Sequence, residues 1–411
     1  MQINIPYSGE RIGLEVDDEQ VNTVLYPHEV EKRDEEEVIL RALKDPVDRP
    51  SFSEFIEDGT VFIVNDATRP TPTARVLDLV KEKIDEHDVK FIVATGSHRE
   101  PTEEEYGRIF GDLYDIEKEC IFHHDSKNDE MIDHGETERG TPVKFNREVS
   151  EAEKVIAINT VEPHYFAGFT GGRKSLLPGI AGYETITANH EYALKEKAKT
   201  LNLEDNPVHL DMMDAVGKFE GEVFALNMTL DKDGDVYSAS AGSLKESFLS
   251  ETDTARDLYG VELDEKSEVV VTAAHPIDVD LYQSHKALEN GKLALKDGGI
   301  IILVSECPEG IGPRNFYDLM SSLDDPEDVL DKIQDEYKLG YHKAAKLVQL
   351  CKDSSVWCVS GLEDDVVKKA FIRSKDDLQD AVDEALSITE GKVTFLVEGG
   401  MVVPMTVDGK E

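Results

Sequence analysis

The residues of this chain best suited to chemistry lie in short loops that share one setting. Asp66-Ala67-Thr68-Arg69-Pro70-Thr71-Pro72 follows the apolar run Val61–Asn65. Thr95-Gly96-Ser97-His98-Arg99 follows Lys90–Ala94, and Thr160-Val161-Glu162-Pro163-His164 follows the run 154–159. In the second half, Ala274-His275-Pro276-Ile277-Asp278 follows the run 269–273. In open α/β sheets ligands bind outside the carboxyl ends of the strands. Four such ends that deliver His, Asp, Arg and hydroxyl groups define a candidate site. Imidazoles suit acid/base work near neutral pH, or metal ligation. The loop from Asp66 leads into a helix, where free N–H groups bind anions. An ordinary cap with Pro in the first turn reads the same way. Arg69 favours the anion site, because a cation at a helix N-terminus opposes the dipole unless an anion sits there.

Further candidates lie between and beyond these loops. Gly168-Phe169-Thr170-Gly171-Gly172-Arg173-Lys174-Ser175 resembles a phosphate loop, but Arg173 stands where that motif requires Gly. A glycine-rich loop can still bring Lys174 close to a ligand. His190 lies in a helical stretch, Thr185 to Leu194, as either a structural residue or a ligand. His123 and His124 follow a short strand and point to opposite faces, which favours a structural role. Tyr282 and Lys286 are i, i+4 on a helix with Gln283 between them. A Lys beside Gln and Tyr suits a substrate carboxylate, or is simply a surface Lys.

The elements that must hold these loops alternate between short apolar runs and amphipathic stretches. Residues 76–84 have helical spacing, and Thr102 to Glu105 form a capping box. Further strands are expected at 300–304, 356–359 and 392–397. Strand–helix alternation implies parallel sheets with helices on both faces. Residues 222–230 and 235–240, joined through Asp233-Gly234, read as a β-hairpin, and 243–259 as a helix. The polar stretch 260–267 reads as a domain junction. The expected architecture is two α/β domains with parallel-rich sheets and the active site in the cleft between them. Residues 1–262 would form the first domain and 263–387 the second, with 388–411 able to return to the first.

The chain has 411 residues and a net charge of −43, spread along its length. Such a surface repels phosphate backbones and anionic lipid, which argues against nucleic-acid or membrane partners. No stretch approaches the ~18 apolar residues of a membrane span, and the N-terminus lacks the pattern of a signal peptide. The four cysteines form no C-x-x-C pair, so neither a zinc ribbon nor a disulfide framework is indicated. A cytoplasmic protein is expected.

Longer segments carry a resemblance. DATRPTP (66–72), TGSHR (95–99), EPHYFAGFTGGRKSLLPGIAGYETITANH (162–190) and HPIDVDLYQSHKA (275–287) resemble the nickel-dependent lactate racemase family, whose members racemise or epimerise 2-hydroxy acids. The resemblance implies a nickel-pincer nucleotide, a pyridinium mononucleotide with sulfur arms. By position, Asp66, Ala67, Thr68 and Arg69 match the cofactor-binding loop. Lys174 resembles the lysine able to hold the cofactor covalently, and His190 the nickel ligand. His98 and His164 match the two catalytic histidines, while Tyr282, Gln283 and Lys286 match the substrate-binding group. Cofactor-maturation proteins are implied as partners. The family's tryptophan near the cofactor has no clear counterpart, since the only Trp here is Trp357. Because substrate and cofactor phosphate are anions, the site should be a basic island, with Arg69, Arg173, Lys174 and Lys286 as its candidates.

Two other readings use the same residues. A metal-dependent hydrolase would use the His and Asp groups, and a non-catalytic nucleotide-binding protein would use Arg69 and Lys174. The charge itself fits adaptation to molar salt, where the Debye length is roughly 3 Å and self-repulsion is screened. The protein is therefore expected to lose structure when dialysed into dilute buffer. Circular dichroism across a potassium chloride series checks this, and full folding and activity without salt would refute it.

Overall fold

The computed structural model describes residues 1–406 and divides into two compact units. One is Glu29–Asp257; the other joins Met1–His28 to the described residues from Leu258 onward. Each is built on a six-stranded sheet. In chain order the sheet strands are β1 (Val21–Leu25), β2 (Val61–Asn65), β3 (Lys90–Ala94), β4 (Ile121–His123), β5 (Lys154–Thr160) and β6 (Glu222–Leu230). They continue as β7 (Val236–Ser243), β8 (Ser267–Ala273), β9 (Leu295–Val304), β10 (Ser355–Val359), β11 (Arg373–Lys375) and β12 (Val393–Leu396).

In the Glu29–Asp257 unit the strand order is β7-β6-β5-β2-β3-β4. All neighbours are parallel except β6 and β7, the hairpin read from the sequence, which carries a bulge at Thr229/Leu230. Val61, Phe62, Ile63 and Val64 are all buried, as a parallel strand covered on both faces requires. Helix α1 (Thr73–Ile84) buries Val76, Leu77, Val80 and Ile84, the residues whose spacing predicts it. Both hydrogen bonds of the Thr102–Glu105 capping box are present. Because β2, β3 and β5 are parallel, the loops that follow them emerge at one end of the sheet. Topology alone thus gathers Asp66, His98 and His164 on one rim.

The other unit has the order β11-β10-β9-β8-β12-β1, with every neighbour parallel. Here the structure departs from the sequence reading. Residues 1–28 belong to this unit rather than to the first domain, because β1 pairs with β12 at the sheet edge. Ile3, Ile5, Leu14 and Val16 share a core with Val269, Val271 and Phe395. The strand at 392–397 likewise stays here, between β8 and β1, instead of returning to the first domain. The stretch 260–267 is not a junction. Gly260–Leu263 is a strand paired with Val403–Thr406, and the units divide between Asp257 and Leu258. An apolar period identifies a strand but not its sheet, and these pairings span most of the chain. Among the described residues no helix is long and apolar enough to cross a membrane.

Ile5 is fully buried in this second core. Ile5→Ala is expected to cost about 2–5 kcal/mol. Hydrogen exchange should show lost protection in β8 and β9 while β2 and β5 keep theirs. Loss confined to the Glu29–Asp257 unit would overturn the assignment.

Candidate active site

At the end of β2 the backbone turns sharply, with Arg69 N–H donating to the Asp66 carbonyl at 3.1 Å. The Asp66 carboxylate is buried and accepts from the Thr68 N–H and hydroxyl at 3.2 and 2.7 Å. Thr71 ties the loop to β5 through Thr160, Oγ1 to Oγ1 at 3.0 Å. The remaining Asp66 oxygen faces His98 Nδ1 at 2.6 Å. Burial pushes the Asp66 carboxyl up, but His98, Arg69 and Thr68 outweigh it and hold the acid below its ordinary range. An ionised acceptor at Nδ1 fixes a proton there, so in the neutral ring the lone pair lies on Nε2. His98 itself is half exposed. Ala67 packs partly against the hydrophobic core, so only its backbone faces the loop.

His164 is held differently. It follows β5 in a short antiparallel pairing, His164 with Gly168 and Pro163 with Phe169. The N–H groups of Ala167 and Phe166 point at its Nδ1 from 3.3 and 3.5 Å. A lone pair therefore lies on Nδ1, and in the neutral ring the proton sits on Nε2. The two histidines have opposite tautomers.

The glycine loop is shaped by Arg173. Its side chain is fully buried and donates to the carbonyls of Ala167 and Phe169 at 2.7 and 2.9 Å, and to those of Thr170 and Gly171 at 3.2 Å each. The guanidinium also lies 4.2 Å above the Phe248 ring. Burial lowers its pKa to about 9. Arg173 is thus occupied by the loop's own backbone and does not belong to the basic island expected from the sequence. The chain closes tightly around it: a Cβ at Gly168 would come within 2.3 Å of the Asn202 carbonyl oxygen, and φ there is +79°. Gly172–Ser175 forms a 3-10 turn rather than the start of an α-helix, so the loop is not a phosphate loop of the nucleotide-binding kind.

Around this loop the remaining candidates converge on Phe166. The His164 ring stands edge to face with it at 4.5 Å, and the His190 ring at 5.1 Å. Lys174 Nζ lies 5.7 Å from the same ring. His190 sits in α2 (Tyr183–Glu191), where burial, then the charges of Lys174 and His98, lower its pKa to about 3. It is the neutral imidazole that ligates metals. Asp211, in α3 (Pro207–Gly217), was not foreseen. It is buried and accepts from Thr137, Thr141 and Asn189 at 2.6, 2.9 and 2.8 Å, which steadies α2 beside His190. A single Asp on a helix carries no sequence signal for that role.

The other unit places its candidates on α4 (Leu281–Gly291), capped by Asp280, whose carboxylate accepts from the Gln283 N–H at 2.6 Å. Gln283 is exposed and Tyr282 and Lys286 are half-buried, whereas Ser284, His285 and Leu288 face the core. Trp357 lies in that unit's hydrophobic core, with Nε1 donating to Ser355 Oγ at 2.8 Å. His124 is structural: its Nε2 faces the Ala181 carbonyl at 2.9 Å. His123 lies 3.4 Å from Glu100. Among the described residues no three His, Cys, Asp or Glu side chains gather as a metal site. A metal at His190 would take its other donors from a bound group.

Comparison with known proteins bears on the family and the fold. A family model for the lactate racemase N-terminal domain matches residues 7–202, and one for the lactate racemase C-terminal domain matches 263–403. The lactate racemase of Thermoanaerobacterium thermosaccharolyticum is 32% identical across 98% of each chain. That of Lactiplantibacillus plantarum is 29% identical across 98% of this chain and 99% of its own. The solved lactate racemase apoprotein from T. thermosaccharolyticum superposes with a TM-score of 0.90, covering 98% of this chain and 100% of that one. A Thermotoga maritima protein, 17% identical, shares the fold at a TM-score of 0.68 over 86% and 95% of the two chains. The chain is an α/β enzyme of the isomerase class. It belongs to the lactate racemase family.

Arg173 gives the sharpest test of the loop. Arg173→Met would remove the guanidinium from four buried carbonyls, of which Gly171 keeps the Lys174 N–H, at a cost of about 3–5 kcal/mol. Arg173→Lys keeps the charge but not the planar fork, so it should also lower stability. Urea unfolding measures both, and a wild-type midpoint for Arg173→Met would refute the role.

Proposed function

We propose that the enzyme racemises a small 2-hydroxy acid, with lactate as the first substrate to test, through His98 and His164. The observation that carries this reading is the Asp66–His98 pair at 2.6 Å beside the Lys174 and His190 cluster. The C–H next to a carboxylate is very weakly acidic, so transient oxidation is an easier route than proton abstraction. His98 Nε2 takes the hydroxyl proton of one antipode, and Asp66 stabilises the imidazolium that forms. The C–H hydrogen would leave as hydride to the acceptor that a bound cofactor supplies, giving a planar 2-keto acid, and would be returned to the other face of that acid. His164 serves the opposite face and returns a proton to the oxygen, and exchange with water resets both rings. Two histidines on separate strands, one for each antipode, are what a reversible racemase needs. Tyr282, Gln283 and Lys286 bind the substrate, with Lys286 paired to its carboxylate.

The donor set fits a nickel-pincer nucleotide. His190 offers one neutral imidazole, which suits the open position of a tetragonal metal whose other donors come from a bound ligand. Lys174, whose Nζ stands 5.7 Å from the Phe166 ring that His190 also meets, would anchor that ligand covalently, and the Asp66–Arg69 turn before α1 would take its phosphate. When bound, the cofactor supplies a hydride acceptor. The protein's part is to orient the substrate and move its proton. Cofactor-maturation proteins are the expected partners, and a salt-adapted cytoplasm fits the charge of −43.

His98→Ala should lower turnover by about 10²–10⁴ with the cofactor still bound. Asp66→Asn should lower it too, because an amide can present Nδ1 with the wrong partner. Racemisation of L-lactate by natively loaded enzyme, followed by chiral chromatography together with metal analysis, tests the whole reading. Active protein that contains no nickel would refute the cofactor assignment, and an unchanged rate for His98→Ala would remove it from the mechanism.

A further inference from the structure

The face of α4 that carries Tyr282 is held from a second helix. Tyr341–Asp353, here α5, starts after Gly340 and buries Lys343 in its first turn. The Lys343 ammonium lies 3.7 Å from the centroid of the Tyr282 ring. The edge of that ring meets Phe316 at 5.3 Å, with the planes 84° apart. At the base of the side chain the backbone of Gly312 comes so near that a Cβ there would stand 2.6 Å from the Tyr282 Cβ. A cation over the ring, a second ring at its edge and backbone packed against its Cβ restrain the Tyr282 side chain. Lys343 also acts on the neighbouring groups of α4. Burial pushes the Asp280 carboxyl up while the Gln283 N–H and the Lys343 charge pull against it. His285, in the next turn, is kept neutral by burial, with Lys343 contributing.

We infer that Lys343 is a positioning residue for the substrate: by fixing the Tyr282 ring it presents Tyr282, Gln283 and Lys286 as one preformed face to a small carboxylate. This rests on the substrate-binding role proposed for those three residues. A buried cation stacked on an aromatic face is among the stronger forms of that contact. Holding the ring in place before binding removes an ordering cost that each substrate molecule would otherwise meet. The effect therefore belongs in KM and not in the chemical step.

The test is a double-mutant cycle on the cofactor-loaded enzyme, read by lactate racemisation. Lys343→Met should raise KM about tenfold, equivalent to ~1.4 kcal/mol, with kcat within about twofold of wild type. In a Tyr282→Leu background the same change should leave KM where Tyr282→Leu alone puts it. Equal KM increases in both backgrounds, or no increase in either, would overturn the inference. If Lys343→Met does not fold by circular dichroism, Phe316→Leu probes the same ring from its edge. It should raise KM without lowering kcat, and an unchanged KM would count against the positioning role. Should wild-type protein loaded with cofactor fail to racemise lactate, the proposed function falls first. Wild-type activity with an unaltered Lys343→Met removes only Lys343.

Discussion

A fully buried guanidinium satisfied by four backbone carbonyls holds the segment from Ala167 to Ser175 in place. Burying a charge is costly unless its donors are met. The two terminal nitrogens of Arg173 meet two carbonyls each, with Nε left buried and without a hydrogen bond, and a planar fork can reach several carbonyls at once where an ammonium cannot. The consequences run outward through the fold. The carbonyl of Phe166 accepts from Asn206, the cap of α3, and α3 carries Asp211, which holds α2 through Asn189. The ring of Phe166 then stands between His164, His190 and Lys174. One ionic side chain that touches no reacting atom thus fixes the relative places of three that are proposed to.

The second constraint is the pairing of strands. Asp66 and His98 are 32 residues apart, and they meet because β2 and β3 are neighbours in a parallel sheet. His164 arrives from β5, the neighbour on the other side of β2. Two histidines delivered from either side of one strand suit the proposed approach to a substrate from two directions. Their supports differ: a carboxylate faces one Nδ1 and backbone N–H groups face the other. The rim therefore holds the rings in complementary tautomers before any substrate is present.

Most of the sheet strands, the hairpin, the capping box and the helix at Thr73–Ile84 were legible, because each follows from local periodicity and turn chemistry, whereas Val21–Leu25 and Arg373–Lys375 were not read. The candidate loops were legible for the same reason, since strand ends in α/β sheets are where ligands bind. Partnerships were not. Asp66 reads from sequence as part of an anion-binding turn, whereas the structure makes it the acceptor for His98. Arg173 reads as one of two adjacent cations, yet the loop folds its side chain inward under Phe248 and leaves Lys174 beside Phe166. The strand Val21–Leu25 was not read from the sequence, and its partner β12 lies at the opposite end of the chain. What escapes sequence reading here is nonlocal pairing and the direction in which a charged side chain turns.

The same distinction settles the apparent conflict between an acidic protein and an anionic substrate. Most of the carboxylates are on the surface, where salt screens them over a few ångströms. Of those that are buried, Asp66 is committed to His98 and Thr68, Asp211 to Thr137, Thr141 and Asn189, and Glu251 to Thr229 and Ser238. Inside the fold the effective dielectric is low, so a single hydrogen-bonded charge outweighs many distant screened ones. With Arg173 spent on the loop, Arg69 and Lys174 remain as cations of the proposed site. Beside the neutral His190 and the committed Asp66 they would favour an anion there while the molecule as a whole carries −43. The net charge governs how the protein meets its solvent, and the few buried pairs govern what its site can bind.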